Sequence, residues 1–225
     1  MFELDGISVL KHSSIKIKKE KIIYIDPFEI DISAHDADLI LCTHSHYDHF
    51  SPKDILAVSN ENTIILATSD CREDIKKIGF NEDNIYDVKP YDEFELGDIF
   101  IKAVPAYNKN KPFHPKQKGW VGYLLKIENN TYYIAGDTDK TKETCQIECD
   151  VAFLPVGGTY TMDYIEAASV VSKIKPKFAI PTHYGSIVGG PECGILFKEL
   201  INEKETKCEI YIWTIAGIFK YFLLL

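Results

Sequence analysis

Thr43-His44-Ser45-His46-Tyr47-Asp48-His49 is the densest run of metal-competent side chains in the sequence. Neutral imidazoles and a carboxylate are the usual ligands of zinc and also serve iron and manganese. His44 and His46 alternate by two, as on a strand end or an extended turn, whereas Asp48 and His49 are adjacent and must point in different directions. Such a segment can feed two neighbouring ions but cannot close two coordination spheres. Further His or Asp residues must therefore come from distant parts of the chain.

The elements that would position these residues read as follows. Short strands are expected over 7–10, 14–18 and 21–25, and in the middle one β-branched residues alternate with lysines, which suggests one buried and one wet face. Asp26-Pro27 ends this region, because the proline disfavours helix at Asp26. A carboxylate there can orient a nearby ligand, or it can simply form a turn. An apolar strand over 37–42 delivers Thr43-His44 at its C-terminal end, where ligands collect in sheet-based α/β folds. Ser51-Pro52 is an N-cap with a first-turn proline, predicting helix over 52–59. A strand over 63–67 and a helix over 70–78 stopped by Gly79 follow, then strands over 93–96 and 99–104. A hairpin over 120–127 and 131–135, turning about Asn129-Asn130, runs into Gly136-Asp137-Thr138. A strand over 151–155 precedes a helix over 163–173 with Ile165, Ala168, Val171 and Ile174 on its apolar face. A strand over 177–181 presents Thr182-His183, and a helix over 192–202 and a strand from Lys207 close the chain. Three strand ends thus deliver the His44 to His49 run, Asp137 and His183.

A length of 225 residues suits a single domain over 1–225, or two fused halves, with room for a large core. The net charge of -9 argues against nucleic acid as a partner, because counterion release needs a basic face. Met1-Phe2-Glu3-Leu4-Asp5 lacks the basic-then-apolar pattern of a signal peptide, which points to the cytoplasm. In that compartment the six cysteines are expected as thiols. The apolar tail from Ile210 is too short for a membrane span and is broken by Lys220. It reads as a closing core strand, and Phe222-Leu223-Leu224-Leu225 could cover a neighbouring subunit in a homo-oligomer.

His-x-His-x-Asp-His, Gly136-Asp137-Thr138 and Pro181-Thr182-His183 together resemble the metallo-β-lactamase superfamily over nearly the whole chain. Lys11-His12-Ser13-Ser14, Asp26-Pro27 and Val104-Pro105-Ala106 are similar to its small stand-alone hydrolases, related to ascorbate-6-phosphate lactonase and to the phosphodiesterase branch. The resemblance implies an α/β fold, a four-layer αββα sandwich of two mixed sheets. It also implies two divalent ions, zinc first and manganese or iron as alternatives. His44 and His46 would bind one ion, Asp48, His49 and His183 the second, and Asp137 would bridge them. Related enzymes carry a third histidine for the first ion where this chain has Asn108. Either His114 swings in from the lysine-rich loop, or the first site is weak; asparagine is a poor zinc ligand, which favours His114.

Paired cations lower the pKa of a bridging water to about 7, so hydroxide is the expected nucleophile, with Asp48 and Asp137 orienting it. Asp48 and His114 are the expected catalytic residues. Ser45, lodged between ligands, reads as structural. Lys109, Lys111, Lys116 and Lys118 surround His114 without an intervening acid. Clustered positive charge focuses anions, so either a small anionic ester, lactone or phosphodiester is the substrate or the loop is a solvated surface. His12 could be a site residue or a buried, hydrogen-bonded histidine. Tyr160 and Tyr184 could close the pocket wall. Two other classes remain open: a metal-binding or regulatory protein of the same fold with little turnover, and a diiron redox protein.

Overall fold

The computed structural model describes residues 4–214 and 217–221, with side chains to residue 211. The chain divides into two compact units, Met1–Val88 and Lys89–Leu225. The expectation that residues 222–225 cover a neighbouring subunit lies outside the described residues.

The first unit is built on a six-stranded sheet in sequence order. Strands β1 (Ile7–Lys11), β2 (Ser14–Lys18) and β3 (Ile22–Ile25) are antiparallel. Strands β4 (Leu39–Leu41), β5 (Ile64–Thr68) and β6 (Ile85–Val88) continue parallel to β3. Parallel strands need crossovers; a loop over 26–38 supplies the one from β3 to β4, and helices supply the next two. Helix α1 (Pro52–Val58) starts where Ser51 accepts from the Asp54 amide, with proline in the first turn. The Asp54 carboxylate also accepts from the amides of Glu29 and Ile30 and so ties the loop after Asp26-Pro27 to this helix. Helix α2 (Arg72–Lys77) is entered through a 3-10 turn at Ser69–Cys71. Gly79 follows with φ +96°, a left-handed residue that ends the helix. Tyr24, Ile40, Phe50, Ile55, Val58, Ile65 and Ile75 share one buried cluster that ties both helices to the sheet. Leu39, Ile40 and Leu41 are all buried, so the short strand β4 is a rigid stem for the residues that follow it.

In the second unit a seven-stranded sheet runs β13-β12-β11-β10-β9-β8-β7. Its antiparallel half comprises β7 (Glu93–Leu96), β8 (Ile99–Pro105), β9 (Val121–Ile127) and β10 (Asn130–Ile134). Its parallel half adds β11 (Val151–Pro155), β12 (Phe178–Thr182) and β13 (Lys207–Cys208). The β9–β10 turn falls on Glu128 and Asn129, one residue before the expected pair, since Asn130 already pairs with Ile127. Glu128 takes φ +54°, the left-handed geometry of such tight turns.

Helix α3 (Tyr164–Ile174) is capped by Asp163, which accepts from the Glu166 amide. Its buried residues are Ala167, Val170 and Val171, whereas Ile165 is 57% exposed. The apolar face is therefore rotated from the one expected, because Ala167 and Val170 offer the same helical spacing as Ile165 and Ala168. Helix α4 (Glu192–Leu200) follows. The apolar tail is not one closing strand: β14 (Ile210–Thr214) and β15 (Gly217–Tyr221) pair antiparallel in a separate two-stranded sheet. A run of that length exceeds the usual strand of about 5–6 residues, and its alternation suits a doubled-back chain equally well.

Candidate metal centre

In the first unit the chain leaves β4 through Cys42, whose amide still bonds to Leu66, and turns tightly so that the His49 and Phe50 amides both reach the His46 carbonyl. Asp70 fixes the middle of this turn. Its carboxylate accepts from the Ser45 hydroxyl at 2.7 Å and the Thr68 hydroxyl at 2.6 Å, which gives Ser45 the structural role expected of it.

Asp26 organises the imidazoles. This buried carboxylate accepts from the Thr43 amide, the Thr43 hydroxyl and His49 Nδ1, each at 2.7 Å. His49 therefore carries its proton on Nδ1 and presents the Nε2 lone pair on the opposite side of the ring. The Thr43 hydroxyl donates its hydrogen bond to Asp26, so its oxygen is left to accept from His44 Nδ1 at 3.0 Å. That bond sets the tautomer of His44 in the same sense. Burial raises the Asp26 carboxyl above its ordinary pKa, and the nearby His49 and the Thr43 donors work against that rise.

His44 Nε2 then lies 3.0 Å from His46 Nδ1. His12, at the β1–β2 turn, is buried with φ +54° and places Nε2 3.3 Å from Asp48 Oδ2. His49 Nε2 is 3.6 Å from the same oxygen. One ligand atom from each of His12, Asp48 and His49 lies within 4.8 Å of the others.

The second unit holds a matching cluster at its strand ends. Asp137 follows β10 through Gly136 (φ +63°), and His183 follows β12 with φ +56°. Asp137 Oδ2 stands 3.1 Å from His183 Nε2 and 3.2 Å from His114 Nε2. All three residues are buried. His114 is thus the imidazole that reaches Asp137, and Asn108 is not aimed there. The Asn108 Oδ1 atom accepts from the His114 amide at 3.0 Å and from His114 Nδ1 at 3.1 Å.

Two ligand atoms of one tetrahedral ion with bonds of 2.0–2.1 Å are separated by about 3.3 Å. The separations within the two clusters run from 3.0 Å to 3.6 Å. Histidine and carboxylate donors with these spacings fit a borderline divalent cation. Among the described residues no cysteine joins either cluster.

Every sequence-expected ligand joins one of the clusters: His44, His46, Asp48 and His49 in the first unit, His114, Asp137 and His183 in the second. His12 was not among them, and the structure adds it to Asp48 and His49. Its signal was the histidine placed between two strands in Lys11-His12-Ser13-Ser14. The lysine loop is less open than its composition suggests, because Lys111 pairs with Asp139 and Lys116 with Glu143. Tyr160 is 37% exposed and meets Phe113 edge-on, and Tyr184 is buried with its hydroxyl donating to the Tyr211 carbonyl.

His- and Asp-rich clusters at the strand ends of mixed sheets, each with geometry suited to a divalent ion, define the class: a metal-dependent hydrolase fold. Residues 6–183 match the family described as the β-lactamase superfamily domain, and the chain belongs to that superfamily, within its metallo-β-lactamase-fold, metal-dependent hydrolase branch. A UPF0173 metal-dependent hydrolase of Pyrococcus horikoshii is 31% identical over 220 residues, covering 88% of this chain and 92% of the relative. A solved protein from Parabacteroides distasonis, assigned provisionally as a metal-dependent hydrolase, is 33% identical with a TM-score of 0.78 over 91% of each chain. Igni18, a metallo hydrolase from Ignicoccus hospitalis, shares the fold at 21% identity, with a TM-score of 0.73 over 96% of this chain and 98% of its own.

Proposed function

We propose that the chain hydrolyses a small anionic ester, lactone or phosphodiester with two divalent ions, zinc first. His44, His46 and His114 would hold one ion and Asp48, His49 and His183 the other, with Asp137 shared. This assignment rests on the family and on the chemistry of each cluster. The observation that carries it is the Asp137 carboxylate oxygen, approached by two buried imidazole nitrogens at 3.1 Å and 3.2 Å. Bound ions supply water activation at neutral pH and polarisation of the scissile carbonyl or phosphoryl oxygen. The chain's own residues supply the rest. Asp48 orients the attacking water and takes up its proton, with His12 Nε2 at 3.3 Å steadying that carboxylate. Asp26, through His49 and Thr43, keeps the imidazoles in the tautomer that ligates.

Support for an anionic substrate comes from the exposed Lys109 and Lys118, which remain after Lys111 and Lys116 are ion-paired. The overall acidity favours a small molecule over nucleic acid, in the cytoplasm, and a homo-oligomer is compatible with the apolar tail. Among the described residues no helix is long and apolar enough to cross a membrane.

Elemental analysis of the purified protein, followed by a screen of bis-p-nitrophenyl phosphate, p-nitrophenyl esters and lactones, tests the reading. Two equivalents of metal and metal-restored turnover of one class are expected, with His46→Ala losing both. A metal-replete His46→Ala variant with full activity would overturn it.

A further inference from the structure

Asn108 is 7% exposed, and every hydrogen-bonding atom of its side chain is committed. Its Oδ1 accepts from the His114 amide and from His114 Nδ1. Its Nδ2 donates to Asp139 Oδ1 at 3.0 Å and to the Tyr160 carbonyl at 2.9 Å. The amide cannot be turned over, because a carboxylate and a carbonyl can only accept. Oδ1 must therefore face the histidine. The second neighbour of His114 Nδ1 is the Tyr160 carbonyl at 3.2 Å, again an acceptor. Between two acceptors Nδ1 must carry the proton, which leaves the lone pair on Nε2, the atom 3.2 Å from Asp137.

Behind Asn108 stands a charge. Asp139 is 4% exposed and accepts from Lys111 Nζ at 2.8 Å and from the Lys109 amide at 2.9 Å. Lys111 is held in turn by the Thr161 carbonyl at 2.6 Å. A carboxylate bonded to the amide nitrogen polarises the amide, strengthens Oδ1 as an acceptor and makes the imidazole beyond it a better donor. The Asn108 amide also bonds to the His114 carbonyl at 2.7 Å, so the loop between them is closed.

We propose that Asn108 is a positioning residue that, with Asp139 and Lys111, locks His114 in its Nδ1-protonated form and presents Nε2 to a metal ion. This rests on the reading of His114 as a ligand. It moves Lys111 out of substrate capture and into the scaffold of the metal centre. It also explains how a chain with asparagine at the expected ligand position can furnish a histidine six residues later.

The test is metal binding itself. Affinities for Zn2+ and Co2+ are measured by chelator competition, stoichiometry by elemental analysis, and ligand geometry by the Co2+ visible spectrum, with thermal unfolding as the control for folding. His114→Ala should lose one ion. Asn108→Ala should weaken that same ion about 10–100-fold, leave the other unchanged and alter the Co2+ spectrum. Lys111→Met should act in the same direction by less. Asn108→Asp sets two carboxylates together and should also weaken the ion. If His114→Ala loses an ion while folded Asn108→Ala binds both normally, this inference falls and the ligand assignment stands. If His114→Ala keeps both ions, the ligand assignment falls and carries this inference with it. Should Asn108→Ala not fold, folded Asn108→Asp and Lys111→Met variants that both bind the two ions as tightly as the parent overturn the proposal.

Discussion

Replacing Asp26 by asparagine keeps the size of the side chain and removes its charge. Three donors converge on the native carboxylate, the Thr43 amide, the Thr43 hydroxyl and His49 Nδ1. An asparagine can satisfy the Thr43 amide with Oδ1, but Nδ2 then faces His49 and the Thr43 hydroxyl as a donor. His49 can accept only by moving its proton to Nε2, and the Thr43 oxygen ceases to be free for His44. Turning the amide the other way sets Nδ2 against the Thr43 amide instead. Either way charge-assisted bonds become neutral or are lost. Hydrogen bonds to charged groups contribute about 1.5–3 kcal/mol against about 0.5–1.5 for neutral ones, a difference of about 3–4 kcal/mol over three bonds; relief of the burial cost that raises the Asp26 carboxyl offsets part of it, so a loss of about 1–3 kcal/mol is expected in the metal-free protein. The tautomer change adds a weakening of metal affinity of about 10–100-fold, the usual effect of removing the partner of a ligating histidine. Urea unfolding of the apo protein reads the first quantity and chelator competition reads the second. The reasoning is refuted if Asp26→Asn binds zinc as tightly as the parent, even should its stability fall.

A β-carbon added at Gly122 would sit 2.5 Å from the carbonyl oxygens of Ile134 and Ala135, so Gly122→Ala must push β9 away from β10. A loss of about 1–3 kcal/mol or more is expected in denaturant unfolding, and an unchanged midpoint would contradict the close approach. Lys16, Tyr24 and Asp36 form a hydrogen-bonded triad. Burial works against both charges of its ion pair, but bonds from Lys16 and Tyr24 outweigh it and lower the Asp36 carboxyl, while bonds to Asp36 and Tyr24 raise the Lys16 ammonium. The Asp36 contribution is present above the ordinary carboxylate range and fades as pH falls through its lowered value. The Lys16 contribution is present below the ordinary lysine value and fades as pH rises through the raised one. Lys16→Met should therefore remove about 0.5–1 kcal/mol at neutral pH and flatten the stability profile at both extremes; a profile parallel to the parent's would refute this.

The residues of the two clusters were legible because their types are rare and their positions, at the ends of apolar strands, follow from periodicity. What was less legible depends on neighbours brought together by folding. His12 sits 36 residues before Asp48 in the numbering, and only the β1–β2 turn, with its left-handed backbone, aims it there. Asn108 reads in sequence as a defective ligand, and only its bonds to His114 and Asp139 show another use. Strand β6 went unread because Tyr86 and Asp87 are exposed in its middle, leaving too few apolar positions to set a period. The rotated face of α3 and the doubled tail have a common cause. Where two registers satisfy the same pattern, packing decides between them.

The two units solve one problem in the same way. An imidazole left to itself can carry its proton on either nitrogen, and a cluster of such rings would bind a cation with the wrong atom much of the time. Here His49 is fixed by Asp26 directly, His44 by Asp26 through Thr43, and His114 by Asp139 through Asn108. In each case a buried carboxylate on the far side of the ring holds the proton at Nδ1 and turns Nε2 inward. Backbone strain accompanies the arrangement: His12, Asp26 and His183 all have positive φ, a conformation that costs about 1–3 kcal/mol at each residue that is not glycine. A folded protein holds such residues only where surrounding bonds over-determine them, and Asp26, with three donors at 2.7 Å, is the clearest instance. The strain and the tautomer locks thus meet at Asp26, as expected if the sequence is shaped there to present preformed lone pairs to a cation rather than to maximise the stability of the empty fold.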